Sequence, residues 1–340
     1  MIFSQLSDSQ SLRDLEVKYN AKSSLHYHLG GGQLKRSTLS DANNKRDSNV
    51  FRDILTSLIS TQKKDIKDFV RILDSSIIGV DGLHSQWTES TSTRHGKGLK
   101  MHVSCDVSGE QLYKVEVTPT NVNDISCWRL WDLESEKLYL FDKGYRDYHW
   151  WQKIDDEGSH FITRIKTNAA YSLEKALTIS SSDKHVKQDL LIQLKNKSPG
   201  GKRKNHLTGK TWRLVEYHDV AHDKLYRFIT NLMDVPPTEI ADYYKKRWRL
   251  EQLLQWIKQN LKIKTFIGES ENAIKRQIYT ALIAYILMHQ FKKLAQTSLV
   301  KAVDIMTWVK ISILSHDITI PPPRQKINRN ALKQLNLGRI

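Results

Sequence analysis

The chain has 340 residues and a mass of 39.5 kDa, and 53 Lys and Arg against 37 Asp and Glu leave a formal charge of +16 with a pI near 9.6. That length buries a sizeable core in one large domain or two, and so basic a surface favours a polyanionic partner over an acidic one. Two cysteines, Cys105 and Cys127, form no disulfide framework and no four-ligand zinc site, and the longest apolar run, residues 278–289, is too short for a bilayer span, so a reducing, membrane-free setting is expected.

Residues 1–62 read as short helices interrupted by the turn Gly30-Gly31-Gly32, with Ser40 and Asp41 as candidate helix starts. Lys22, Lys35, Arg36, Lys45 and Arg46 give this helical N-terminal region a plausible DNA-contacting surface. No signal-peptide pattern is visible from residue 1 onward, so a cytoplasmic location is expected.

From residue 68 the pattern changes to strands. FVRILD ends in Asp74, LKMHVSCDV spans 99–107, LYKVEV spans 112–117 and LYLFD ends in Asp142. VNDISCWRLWDLES, between the third and fourth, suits a short helix or turn-rich connection, and the segment after Asp142 is helical before the strand HFITRI at 160–165. Strands, crossovers and helices in this order predict an α/β core with a mixed sheet flanked by helices.

Residues 166–236 break the rhythm with DLLIQLK, TWRLVEYHD and the Gly-Pro-basic loop SPGGKRKNH, which predicts an inserted, mostly β subdomain. After Pro236 and Pro237, Thr238 is the expected N-cap of a helix whose body runs from Ala241 to Leu261, followed by a second, apolar helix at 271–295. The last twenty residues, 321–340, carry five Lys or Arg and no acid and read as a basic tail.

Two features carry chemistry. Asp74 and Asp142 are each the first acid after an apolar strand, and in open α/β sheets ligands gather at strand ends. On a helix of about 100° per residue, Tyr244, Arg247, Glu251 and Lys258 fall on one narrow strip, beside an apolar stripe of Leu250, Leu254, Ile257 and Leu261. A carboxylate flanked by cations at the edge of a buried face suits a charged substrate. Three carboxylates are hard oxygen ligands of the kind that suit Mg²⁺. Other polar groups have simpler readings: His26 and His28 are paired like metal ligands but lack a third partner, and His95, Lys97 and Lys100, just before a strand near the acids, are either DNA contacts or a solvated loop.

The spacing Tyr-x2-Arg-x3-Glu-x6-Lys, together with RILDSS around Asp74, LYLFDKGY around Asp142 and the following HFITRIK, resembles the cut-and-paste insertion-sequence transposases whose catalytic acids are two aspartates and a glutamate. The resemblance runs from about SLRDLEVKYN to residue 296. It implies a ribonuclease H-like catalytic domain over residues 63–320 with a β insertion. It also implies a metal-binding triad of Asp74, Asp142 and Glu251, two Mg²⁺ ions for which Mn²⁺ can substitute, and phosphate contacts from Tyr244, Arg247 and Lys258.

The implied reaction is cleavage at element ends in double-stranded DNA and strand transfer into target, performed by a homodimer in a synaptic complex associated with the nucleoid. Lys143 stands where relatives commonly have Arg, and Asn123 precedes Asp124 where His-Asp is frequent. MIFSQLSDSQSL is similar to the middle of a helix in longer relatives, so a shortened end-recognition region is expected. Two rival readings are a metal-dependent nuclease without strand transfer and a non-catalytic DNA-binding inhibitor of a longer transposase.

Overall fold

Short helices do open the chain: α1 (Ile2–Leu6), α2 (Leu12–Asn20), α3 (Arg36–Lys45) and α4 (Asn49–Lys63). The structure, a computed structural model, describes residues 1–27, 30–63, 68–80, 87, 97–108, 110–195, 209–263, 265–295 and 302–314. His28, His95, the SPGGKRKNH loop and the 321–340 segment lie outside these residues. Ser11 caps α2 by accepting from the Asp14 amide at 3.1 Å. Ser40 and Asp41 are not helix starts: α3 begins four residues earlier, after Lys35, and carries both within its body.

The strand segments assemble edge to edge. β1 (Val70–Gly79) pairs antiparallel with β2 (Gly98–Cys105), which pairs antiparallel with β3 (Leu112–Pro119). β4 (Leu138–Leu140) lies parallel to β1, and β5 (His160–Arg164) parallel to β4. Parallel neighbours need crossovers, supplied by α5 (Asp124–Arg129) and α6 (Tyr148–Asp156). Each crossover helix starts on a side-chain cap. Asn123 accepts from Ile125, and Asp147 from His149 and Trp150. At the β1–β2 edge Gly98 holds φ at +141°, and a Cβ there would collide with the Ile78 carbonyl.

The segment between 166 and 236 contributes β6 (Tyr171–Ala176), β7 (Val186–Leu194), β8 (Trp212–Asp219) and β9 (Lys224–Thr230). These strands pair antiparallel in sequence, and β9 closes back on β5. One sheet of nine strands results, in the order β3-β2-β1-β4-β5-β9-β8-β7-β6. This segment thus extends the central sheet.

Strand alternation splits the core into two faces. Leu73, Tyr139, Phe141 and Phe161 join Trp128, Trp150 and Trp151 in an aromatic layer covered by α5 and α6. Ile72, Leu138, Leu140, Ile162 and Phe228 point the other way, toward residues of α4, α7 (Pro237–Lys245), α8 (Trp248–Asn260) and α9 (Glu271–Ala295). α9 is apolar nearly all round and correspondingly buried. α10 (Ala302–Leu314) packs against it. Among the described residues no helix is long and apolar enough to cross a membrane.

The helix expected as one body from Ala241 to Leu261 is two. α7 ends at Lys245, Lys246 and Arg247 form a turn, and α8 begins at Trp248. Backbone bonds at the joint tighten to the i to i+3 pattern: Lys246 to Tyr243, Arg247 to Tyr244, Arg249 to Lys246 and Leu250 to Arg247. Thr238 does not cap α7. Pro236 occupies the N-cap position with Pro237 at the first turn, and the Thr238 hydroxyl donates to Asp183 at 2.9 Å.

Candidate active site

Register and alternation bring the distant acids together. Ile72 pairs with Leu140, and Leu140 with Ile162, across the two parallel ladders. Two residues further along each segment stand Asp74, Asp142 and Arg164. They share the parity of Ile72, Leu140 and Ile162, and so lie on the face covered by α7 and α8. Asp142 is beyond the end of β4, as its sequence context implied. Asp74 is not at a strand end: it is the fifth residue of the ten-residue β1, which continues through Ser75 and Ser76 to Gly79 because β2 offers it a partner throughout.

The joint between α7 and α8 lowers polar groups onto these acids. Arg247 bridges two of them, Nη2 donating to Glu251 Oε1 at 2.6 Å and Nη1 reaching Asp74 Oδ2 at 3.4 Å. Arg164 Nη2 donates to Asp142 Oδ1 at 2.5 Å, and the Tyr244 hydroxyl donates to the same oxygen at 3.3 Å. The Tyr244 ring packs on Phe228, with the guanidiniums of Arg247 and Arg164 at 5.5 and 5.8 Å from its centroid. Asp74, Asp142 and Glu251 are thus tied to one basic and phenolic cluster, with Tyr244 and Arg247 inside it.

Two clefts border the cluster. One of about 700 Å³ is lined by Arg164, Tyr226, Tyr244, Lys245, Arg247 and Trp248 among others. The second, about 450 Å³, is lined by Asp74, Ser75, Ser76, Leu254, Gln255, Lys258 and Gln259. Glu251 lines both. Lys258 therefore faces the Asp74 side, two turns along α8 from Glu251.

The electrostatics separate the acids. Burial pushes the Asp74 carboxyl up to about 6, with Glu251 and Asp142 adding to the rise while the Ser75 amide, donating at 2.8 Å, and Arg247 oppose it. Burial pushes Asp142 the same way, but the Arg164 hydrogen bond and charge, joined by Arg247, outweigh it and hold Asp142 below the usual carboxylate range. Tyr244 is pushed up to about 12 by burial, so it is a neutral donor at pH 7.

A raised Asp74 pKa makes its ionisation unfavourable to folding. Between the unfolded value of 3.8 and about 6 the folded state binds the extra proton, so this group's contribution to stability falls as pH rises through that window. Metal-free Asp74→Asn protein is expected to exceed wild type by about 1–3 kcal/mol above pH 6, with the gap closing below pH 4. Thermal melts at pH 4 and 7.5 check this; equal differences at both would show that Asp74 ionises normally.

Arg164 is a site residue that sequence reading did not single out. Its strand was legible, but its side depends on β5 lying beside β4 in register. Elsewhere, His26 stacks on Tyr19 at 4.7 Å, and Lys100 is paired to Asp124 at 3.0 Å, so neither stands in the cluster. Among the described residues no three His, Cys, Asp or Glu side chains close on one metal-sized position as they stand.

A family model described as a transposase DDE domain matches residues 66–287. A putative transposase of Sinorhizobium fredii is 31% identical over 275 residues, covering 76% of this chain and 74% of that protein. A probable insertion-sequence transposase of Geobacillus stearothermophilus is 28% identical over 244 residues, 68% of this chain and 59% of the relative. A putative insertion-sequence transposase of Synechocystis is 28% identical over 285 residues, 77% and 73% respectively. Among solved structures, a piggyBac transposase synaptic complex with hairpin DNA aligns at a TM-score of 0.47 and 10% identity, over 98% of this chain and 73% of that one. With the family model matched from the start of the sheet to α9, the chain belongs to the DDE transposase family and is a transposase of the insertion-sequence kind.

Proposed function

We propose that this transposase cleaves DNA at the ends of its insertion sequence and joins the freed 3′-hydroxyl to target DNA, on a ribonuclease H-like core spanning residues 63–320. The observation that carries this reading is the meeting of Asp74, Asp142 and Glu251, far apart in sequence, at one cationic cluster between two clefts. The strand order β3-β2-β1-β4-β5, with only β2 antiparallel among these five, supports the ribonuclease H-like assignment.

The donor set fits a hard divalent cation. Three carboxylates gather at one face, and the Asp74 carboxyl, pushed up chiefly by burial and further by Glu251 and Asp142, would gain a counter-charge from such a cation. Asp74, Asp142 and Glu251 would hold Mg²⁺, or Mn²⁺ in its place. When bound, a pair of such ions activates the attacking oxygen and stabilises the leaving one at phosphorus. Arg164 fixes the orientation of Asp142. Tyr244, Arg247 and Lys258 present a phenol and two cations along the clefts, where DNA phosphates would lie.

Residues 1–62, with Lys22, Lys35, Arg36, Lys45 and Arg46, would contact the element end, and the strands of the 166–236 segment would grip it. Paired ends call for a homodimer acting at the nucleoid.

The test uses duplex DNA taken from the flanks of the protein's own gene, incubated with and without Mg²⁺, followed by pre-cut ends mixed with target plasmid. Mg²⁺-dependent nicks at a fixed position and joined products are expected. Cutting without joining would replace the proposal with a nuclease, and binding without either reaction would replace it with an inhibitor.

A further inference from the structure

The guanidinium of Arg247 already does what a bound cation would do. It stands between Asp74 and Glu251, within 3.4 and 2.6 Å of their oxygens. Resting on the metal-site reading above, we propose that Arg247 is an internal counter-ion that occupies the Asp74–Glu251 position in the DNA-free protein, and that it leaves this position for DNA phosphate, so that metal and DNA bind with positive coupling.

Three observations point to a residue poised to move. First, its present bonding is incomplete: the side chain is 9% exposed, its Nε–H is buried without a protein partner, and the Asp74 contact is long for a charge-assisted hydrogen bond. Second, Arg247 is the junction residue between α7 and α8: its backbone is helical but held by i to i+3 bonds rather than inside either helix. Third, it lines the 700 Å³ cleft beside Arg164 and Lys245, so a phosphate entering there would meet its guanidinium among other cations.

A guanidinium and a divalent ion at the same pair of carboxylates repel, so each must weaken the other. A phosphate that draws Arg247 away would free Asp74 and Glu251 for the ion, and the coupling must be reciprocal. Arg164 does not share this property, because its partner is Asp142 alone among the three acids. The consequence is a protein that holds metal weakly until an element end is in place.

Mn²⁺ titration of the DNA-free full chain, followed by electron paramagnetic resonance of the free ion, tests this directly. Arg247→Gln and Arg247→Ala are expected to bind Mn²⁺ about tenfold or more tightly than wild type. Adding Glu251→Gln to either should abolish the gain. Circular dichroism melts identify whichever Arg247 variant is folded, and the Gln side chain keeps most of the packing. If the Arg247 variants bind no tighter while Glu251→Gln weakens binding, the metal site stands and the counter-ion role is overturned. If Glu251→Gln changes nothing in any background, the metal-site reading fails, and this inference fails with it.

Discussion

Asp142→Ala protein is expected to fold, to bind DNA as well as wild type and to cut it at least about a thousandfold more slowly, the scale on which a preorganised electrostatic contact at a reacting centre matters. Asp142 follows a three-residue strand and accepts bonds from Arg164 and Tyr244, so its loss leaves those two donors in the lining of an open cleft. Its side chain is 30% exposed, which limits the cost of leaving Arg164 unpaired. Removing a negative charge cannot weaken attraction for phosphate. The measurement is single-turnover cleavage of flanking DNA in Mg²⁺, beside a gel-shift titration and a thermal melt. A folded, DNA-binding Asp142→Ala protein cutting within about tenfold of the wild-type rate would remove Asp142 from the reacting centre.

The second large effect lies away from the acids. Arg213 on β8 forms a two-pronged ion pair with Asp189 on β7, at 2.9 and 2.7 Å, with both residues 3% exposed. Its remaining nitrogen, Nη1, donates to the carbonyls of Met233 at 3.0 Å and Val235 at 2.6 Å. Those carbonyls belong to the segment that enters α7 at Pro236 and Pro237. Arg213 therefore joins the outer strands to the start of the helix that carries Tyr244.

Arg213→Ala would leave Asp189 charged and buried and would free the α7 entry, a loss of about 3–5 kcal/mol. A drop in melting temperature on the order of 10 °C is expected for a chain of this size. The double substitution Arg213→Met with Asp189→Leu should recover the part due to the buried charge, because an apolar pair of similar volume carries none, while the bonds to the Met233 and Val235 carbonyls stay lost. An Arg213→Ala melt within about 2 °C of wild type would show that the pair is dispensable.

The two halves of the cluster were legible to different degrees. Asp142 could be read as a strand-end acid because LYLFD is a short apolar run that stops. Asp74 could not be placed correctly by the same logic. RILDSSIIG loses its apolar alternation at Asp74, Ser75 and Ser76, yet the strand continues, because the β2 ladder satisfies its backbone regardless of side-chain polarity. The Tyr-Arg-Glu-Lys strip was found by helical spacing, and Arg247 and Glu251 do pair at i, i+4. Yet Tyr244 belongs to a separate helix, since the break at Lys246 and Arg247 occurs without Gly or Pro.

Thr238 shows a local preference overridden by packing: its hydroxyl donates to Asp183, and Pro236 holds the N-cap position. Arg164 was the largest omission. An arginine in a strand carries no signal of its own, and its partner was set by how β4 and β5 align.

What the amino-acid sequence by itself determined is the set of local facts: charge, the alternation that makes strands, the proline start of α7, and the chemical types of the acids and bases. Those depend on neighbours within a few residues, where backbone geometry fixes the spacing. The tertiary structure alone decided that Asp74, Asp142 and Arg164 stand level on one face. It also decided that the strands of the 166–236 segment join the central sheet, and that Arg247 sits between two carboxylates. Register is the reason: a strand shifted by one residue turns every side chain to the opposite face, and that choice is made by the partner strand and the helices packed above it.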